Sequence, residues 1–443
     1  MKDDKQHLIN DRNSFTGCGS TIWQRIKQLY LDNIADLKIL LCFSAPLIAT
    51  GLLDLAPFIV TAIFCGHLGK IELDVYMLSS SFTSITGLPI GLGLCSAFDT
   101  IISQIYGGSN LKLIGITIQR GIIILFLSCF PCWAFYVNSR NILLLLGQDP
   151  EISRLADLCV LASIPCLPAK LYYTLEQRFL QNQGIIIPQF IVSFIGNILH
   201  IITTYVLMIV FNTGLIGAIM ALLITHIGYI IGLFIYIRLW KIHEETWSGW
   251  SIDCLTDWGS FLSLGIPSML IMCSEWWCYE VSVILAGLIN LVQLGGQSVI
   301  YQVLFVIYEL SSAVGTAAGI KVGNCLGAGD SHQAKKFVKL SFVIAASYTT
   351  LNVSLMFGLR PQIAAVFTMT TLWAKHLLKN EEKHDANIQS KLLWEREGRL
   401  LDLKLYEVIA WSKGYMKEKR PLVDLSIKTS FIFLLELNKS LTC

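Results

Sequence analysis

The stretch Ile266–Glu280, IPSMLIMCSEWWCYE, decides what kind of molecule this chain forms. It lies inside a mostly apolar run from 258 to 287. That exceeds the roughly 20 apolar residues a helix needs to cross a bilayer. Yet it carries two carboxylates, Glu275 and Glu280. A charge at bilayer depth costs about 3 kcal/mol on insertion scales and marks a functional site by default. The expectation is therefore a membrane helix that keeps two acids for a purpose.

Working outward, eight further runs have spanning length: 38–64, 75–101, 111–137, 156–176, 185–211, 214–240, 294–320 and 338–358. A weaker tenth run, 361–374, is too short to span alone. Composition agrees. Of 443 residues 54% are hydrophobic and only 14% charged, against roughly 25% charged in soluble domains. There are too few charges to cover soluble surfaces, so lipid must be the solvent. The predicted class is all-α: a polytopic transmembrane helix bundle of about 9–10 spans. A net charge of +2 gives no argument for a nucleic-acid partner. The 13 cysteines are scattered, many in apolar runs, which argues against a disulfide framework or a zinc site. Cys129-Phe-Pro-Cys132 has redox spacing, but packing is the plainer reading inside a hydrophobic span. The polar N-terminus shows no signal-peptide pattern.

One set of loops carries most of the basic residues, Lys2, Lys5, Arg12, Arg25, Lys27, Lys38, Lys112, Lys170, Arg178, Arg238, Lys241, Lys321, Lys335, Lys336 and Lys339 among them. The other set holds Lys70, Arg140, Arg154 and Arg360. The bias predicts a cytoplasmic N-terminus. An internal repeat with an offset of 221 residues pairs Pro46 with Pro267, Gly66 with Gly287, Leu73 with Leu294 and Gly108 with Gly329. Two parallel six-helix lobes follow, the second incomplete. The expected organisation is a cytoplasmic segment 1–37, an N-lobe 38–240, a cytoplasmic linker 241–257, a partial C-lobe 258–374 and a charged tail 375–443. About a third of the tail is charged, which reads as a solvated segment.

Glu275 and Glu280 lie about 7.5 Å apart along a helix axis and about 140° apart around it, so a straight helix would not show both on one face. Glu275 with Tyr279, and Trp276 with Glu280, are natural neighbours four residues apart. Alternating anions and aromatic rings suit an organic cation: the carboxylate supplies charge and the ring face supplies cation–π attraction. Desolvation favours the neutral form of a buried carboxylate, so proton and cation compete for one site, which is the physical basis of antiport. Asp54 falls opposite Glu275 under the repeat, so that both halves present an acid to a central cavity. Glu309 beside Tyr308, and Gln302 beside Tyr301, are further candidates in the eighth span. Asp99 with Thr100 and Gln104 reads as helix-terminal capping, and His200 and His226 as packing residues. No phosphate-binding glycine loop, Walker pattern or nucleophilic triad is present, which argues against ATP-driven transport; neither an enzyme activity nor a cofactor is expected.

The chain resembles the multidrug and toxin extrusion (MATE) family, particularly its animal members, from about residue 36 to 369. The resemblance rests on FCGHLGKIELD (Phe64–Asp74), DTIISQIYG (Asp99–Gly107), FPCWA (Phe130–Ala134), LLLGQDPEISRL (Leu144–Leu155), NQGIIIPQ (Asn182–Gln189), TWSGWS (Thr246–Ser251), IPSMLIMCSEWWCYE (Ile266–Glu280) and VGNCLGAGDSHQAKK (Val322–Lys336). It implies a twelve-helix MATE fold that exchanges protons for organic cations, drugs and other xenobiotics at the plasma membrane or a vesicle membrane. It also implies transport roles at Glu275, Trp276, Tyr279, Glu280, Tyr301 and Tyr308, and at Cys65 and Cys129. Where the family carries a third acid this chain has Gln302, for which Glu309 is a partial substitute, and Ser84 stands in place of an asparagine. The family's tenth to twelfth helices have no counterpart after about Thr370, so the C-terminal part reads as truncated or replaced. Two other functions remain open at this point: a non-transporting isoform that regulates a full-length relative, and a flippase for lipid-linked glycans, against which EWWCYE argues.

Overall fold

The computed structural model describes residues 3–289 and 291–359, with side chains for 34–282, 305, 307–355, 358 and 359. The tenth run and the charged tail lie outside the described residues. All described regular structure is helical.

The first span belongs to a longer helix, α1 (Asp3–Leu68), whose apolar part is Ile34–Leu68. The second is two helices, α2 (Lys70–Thr86) and α3 (Leu88–Gly107), parted at Gly87. A Cβ at Gly87 would collide with the Tyr136 hydroxyl, and Pro89 starts the new helix. α4 (Leu111–Val137) runs through Pro131 to a short α5 (Ser139–Leu145), which the hydropathy pattern did not show. α5 ends at Gly147 (φ +79°) and α6 (Pro150–Ala162) begins with Pro150 in its first turn. The Asp149 carboxylate caps it, accepting from Glu151 N at 2.9 Å and Ile152 N at 3.2 Å. The LLLGQDPEISRL motif is thus a helix stop followed by a helix start.

α6 bends by 46° into α7 (Cys166–Asn182), and the pair forms one broken span. α8 (Ile187–Tyr205), with a π-helical end at Val206–Val210, and α9 (Gly214–Leu239) complete six spans. A one-turn helix α10 (His243–Thr246) opens the linker. The linker docks on α4, where Gln119 donates to Gly249 O (2.7 Å) and accepts from Ser251 N (3.0 Å). Three long helices follow: α11 (Trp258–Ile289), α12 (Leu291–Gly327) and α13 (Ser331–Gly358). Among the described residues seven helices are long and apolar enough to cross a membrane, eight with the bent α6–α7 pair.

The faces of α8 show what the solvent is. Gln189, Ser193, Asn197, His200 and Thr204 recur every three or four residues on its buried side. The apolar side looks outward: Ser193 is 0% exposed and Ile195 59%. In water such a helix would be inside out; against lipid tails it satisfies its polar groups within the protein.

The packing between halves is reciprocal. α1, at the start of the first half, packs on α12, and its repeat counterpart α11 packs on α3. Small residues allow close approach: Gly107 abuts the Asn324 backbone, Gly327 abuts Gln104, and Gly93 abuts Met269. A polar contact also joins the halves, with Asp36 of α1 taking Lys336 Nζ at 2.5 Å and Gln333 Nε2 at 3.0 Å. Among the described residues nine helical passes follow one another, and all but α12 have the length and apolarity of a membrane span.

Candidate functional site

α11 and α12 flank a small, partly open cavity lined by Glu275, Trp276, Tyr279, Glu280, Phe305 and Tyr308. Both carboxylates line this space while standing about 140° apart around the helix. On a helical wheel residues 275, 279, 276 and 280 fall at about 0°, 40°, 100° and 140°. They form a continuous arc with the acids at its edges and the rings between, and the cavity wraps the whole arc. Trp277 and Cys278 lie beyond it. The Trp277 indole reaches the first lobe instead, donating to Ile85 O of α2 at 3.0 Å. Phe305, three residues before Tyr308, was not singled out from sequence; its i, i+3 spacing was the available signal.

Asp54 of α1 occupies a second polar locus within the first lobe. Its Oδ1 accepts from Ser193 Oγ (3.0 Å) and Tyr173 Oη (3.3 Å), and its Oδ2 from Gln177 Nε2 (3.3 Å). Lys170 Nζ lies 3.8 Å from Oδ2 and 5.4 Å from the centre of the Tyr173 ring. Tyr229 packs on that ring at 4.8 Å. None of these partners was picked from sequence. Lys170, Tyr173 and Gln177 sit at i, i+3 and i+7, one face of α7, and that spacing was the available signal.

Glu309 also belongs here rather than to the C-lobe cavity. Its carboxylate comes against α1 at Gly51, 3.0 Å from where a Cβ would stand, and it is in electrostatic reach of Asp54, Lys170 and Arg178. Tyr308 turns to the cavity while its neighbour Glu309, about 100° further round the helix, turns to α1. The side chains of Tyr301 and Gln302 lie outside the described residues.

Two sequence readings change. Lys170 and Arg178 are not loop charges: both project from α7 inside the bundle. Arg178 Nη1 pairs with Asp99 Oδ2 at 3.0 Å, and Asn182 Nδ2 donates to Asp99 Oδ1 at 3.1 Å. Asp99 is therefore a mid-helix acid joining α3 to α7 rather than a helix cap. His200 is a satisfied packing residue, bonded to Thr61 at 3.0 Å and Thr225 at 2.9 Å. Cys65 and Cys129 are fully buried in one apolar cluster with Cys132, Cys159 and Tyr76. Among the described residues no group of three or more His, Cys, Asp or Glu could hold a metal ion.

Comparison with known proteins agrees with this fold. The MatE family model matches residues 46–206 and 267–377. Multidrug and toxin extrusion protein 1 of Mus musculus is 42% identical over 335 residues, covering 76% of this chain and 59% of the mouse protein. Multidrug and toxin extrusion protein 2 of Oryctolagus cuniculus is 41% identical over 367 residues, covering 83% of this chain and 60% of the rabbit protein. The chain thus spans about three fifths of the length of these curated relatives. The crystal structure of the eukaryotic MATE transporter AtDTX14 superposes with a TM-score of 0.71 at 27% identity, covering 76% of this chain and 75% of that one. A point mutant of the Vibrio cholerae MATE transporter VcmN, at 17% identity and a TM-score of 0.65, shares the fold over 76% of this chain and 77% of its own. The chain belongs to the multidrug and toxin extrusion (MatE) family.

Proposed function

We propose that this protein is a secondary transporter that exports organic cations, drugs and other xenobiotics in exchange for protons. The observation that carries this is the cavity between α11 and α12, with Glu275 and Glu280 at its edges and four aromatic rings in its wall. A cation placed there meets negative charge and ring faces together. Among the described residues no lysine or arginine lines the cavity, so an anionic lipid-linked glycan would meet only repulsion. Asp54 and Glu309 make a second acidic locus at the junction of the lobes. Basic-residue bias supports a cytoplasmic N-terminus, and the plasma membrane or a vesicle membrane is the proposed location.

The test is uptake of a fluorescent organic cation into proteoliposomes driven by an imposed pH gradient. Glu275→Gln and Glu280→Gln are each expected to abolish gradient-driven uptake while leaving the protein folded. Uptake unchanged by both substitutions would remove the basis for the proposal.

A further inference from the structure

The surroundings of Asp54 combine a carboxylate with an aromatic face, and the chain supplies the cation itself. A carboxylate and an aromatic face together attract an ammonium group. At Asp54 that face is Tyr173, and the Lys170 ammonium already stands 3.8 Å from the carboxylate and 5.4 Å from the ring centre. Lys170 projects from the middle of the broken α6–α7 span, a depth at which an unmatched lysine is costly. The other nearby cation is unavailable, because Arg178 is held by Asp99 at 3.0 Å. His200 spends both ring nitrogens on threonines. The C-lobe cavity, by contrast, pairs its two carboxylates with rings and has no basic side chain among the described residues of its wall.

We infer that Lys170 is a specificity-determining residue, a tethered cation that fills the Asp54–Tyr173 position and closes it to organic cations. A ligand attached through a short chain competes at an effective concentration of about millimolar or more. A free cation must displace it, and removing it exposes a second site of the same chemistry. This inference rests on the proposed function insofar as organic cations are what the protein binds.

Calorimetric titration of the full chain in lipid nanodiscs with tetraethylammonium tests it. The unmodified protein is expected to bind at the C-lobe cavity alone, with binding lost in the Glu275→Gln/Glu280→Gln variant. Lys170→Met should add a second binding event, at least about tenfold tighter than any residual binding at that locus. The added event should vanish when Asp54→Asn is combined with Lys170→Met, and Lys170→Arg, which keeps the charge, should not show it. If Lys170→Met does not fold, Lys170→Gln carries the same comparison. Overturning results are a second event missing from every folded Lys170→Met or Lys170→Gln protein, or one that survives Asp54→Asn. The comparison of Lys170 variants with their parent stands whatever the glutamate variants do. Failure of the C-lobe reading and failure of this inference are therefore separable.

Discussion

Arg178→Met removes the cation that faces Asp99 and leaves the acid inside the bundle. The pair is short, 3.0 Å, and its side chains are only 23% and 21% exposed. Stripping one partner from a fully buried pair costs about 3–5 kcal/mol. Two features reduce this: a fifth of each side chain meets the surroundings, and Asn182 still donates to Asp99 at 3.1 Å. The expected loss is about 2–3 kcal/mol, made up of the orphaned charge and the lost bond from Arg178 to Gln181 Oε1 at 3.2 Å. In a lobe of this size that lowers the melting temperature by roughly 5–10 °C. Asp99→Asn/Arg178→Met leaves no unpaired charge and should recover at least about 1.5 kcal/mol of the summed single losses. The assay is thermal unfolding of purified protein in detergent, read by tryptophan fluorescence for the four members of the cycle. A single variant within about 0.5 kcal/mol of the parent, or strictly additive losses, would refute the reasoning.

Other outcomes follow from the packing. Gly107→Ala drives a methyl group into the Asn324 backbone and should destabilise by about 1–3 kcal/mol, whereas Gly319→Ala, with nothing within 4 Å, should be nearly neutral in the same melts. Asp149→Ala removes the α6 cap and should cost about 1 kcal/mol, with Asp149→Asn close to the parent. Cys65 and Cys129, both 0% exposed, should resist an aqueous maleimide until the protein is denatured; labelling of the folded protein, detected by mass spectrometry, would contradict their burial.

The helical membrane class was readable because apolar runs of spanning length report lipid directly. That Glu275, Trp276, Tyr279 and Glu280 line one cavity was legible because their i, i+1, i+4 and i+5 spacing forms a continuous arc on a helix. Hydropathy did not show the break at Gly87, because apolar residues continue on both sides; Pro89 starts the new helix, and the Tyr136 hydroxyl, distant in sequence, occupies the space a side chain at Gly87 would need. The run 156–176 marked this span but stopped short of Arg178, because α7 also carries Glu176, Gln177 and Gln181. The meaning of Lys170 and Arg178 is tertiary. Asp54 meets Lys170 only when α1 packs against α7 and α8, and Asp99 meets Arg178 only when α3 does. Glu309 illustrates the same limit from the other side: seven residues return a helix nearly to one face, yet they also move it about 10 Å along the axis. The turn of about 100° from Tyr308 to Glu309 then sets Glu309 against Gly51 rather than in the cavity.

The central claim is that proton and organic cation compete for Glu275 and Glu280. Its most direct test is proton release on binding, measured with tetraethylammonium added to the unmodified chain in weakly buffered nanodiscs. Release of about one proton per cation bound is expected where a desolvated carboxylate exchanges one for the other, with release lost in Glu275→Gln/Glu280→Gln. Cation binding without proton release, or release that persists in that variant, would contradict the claim.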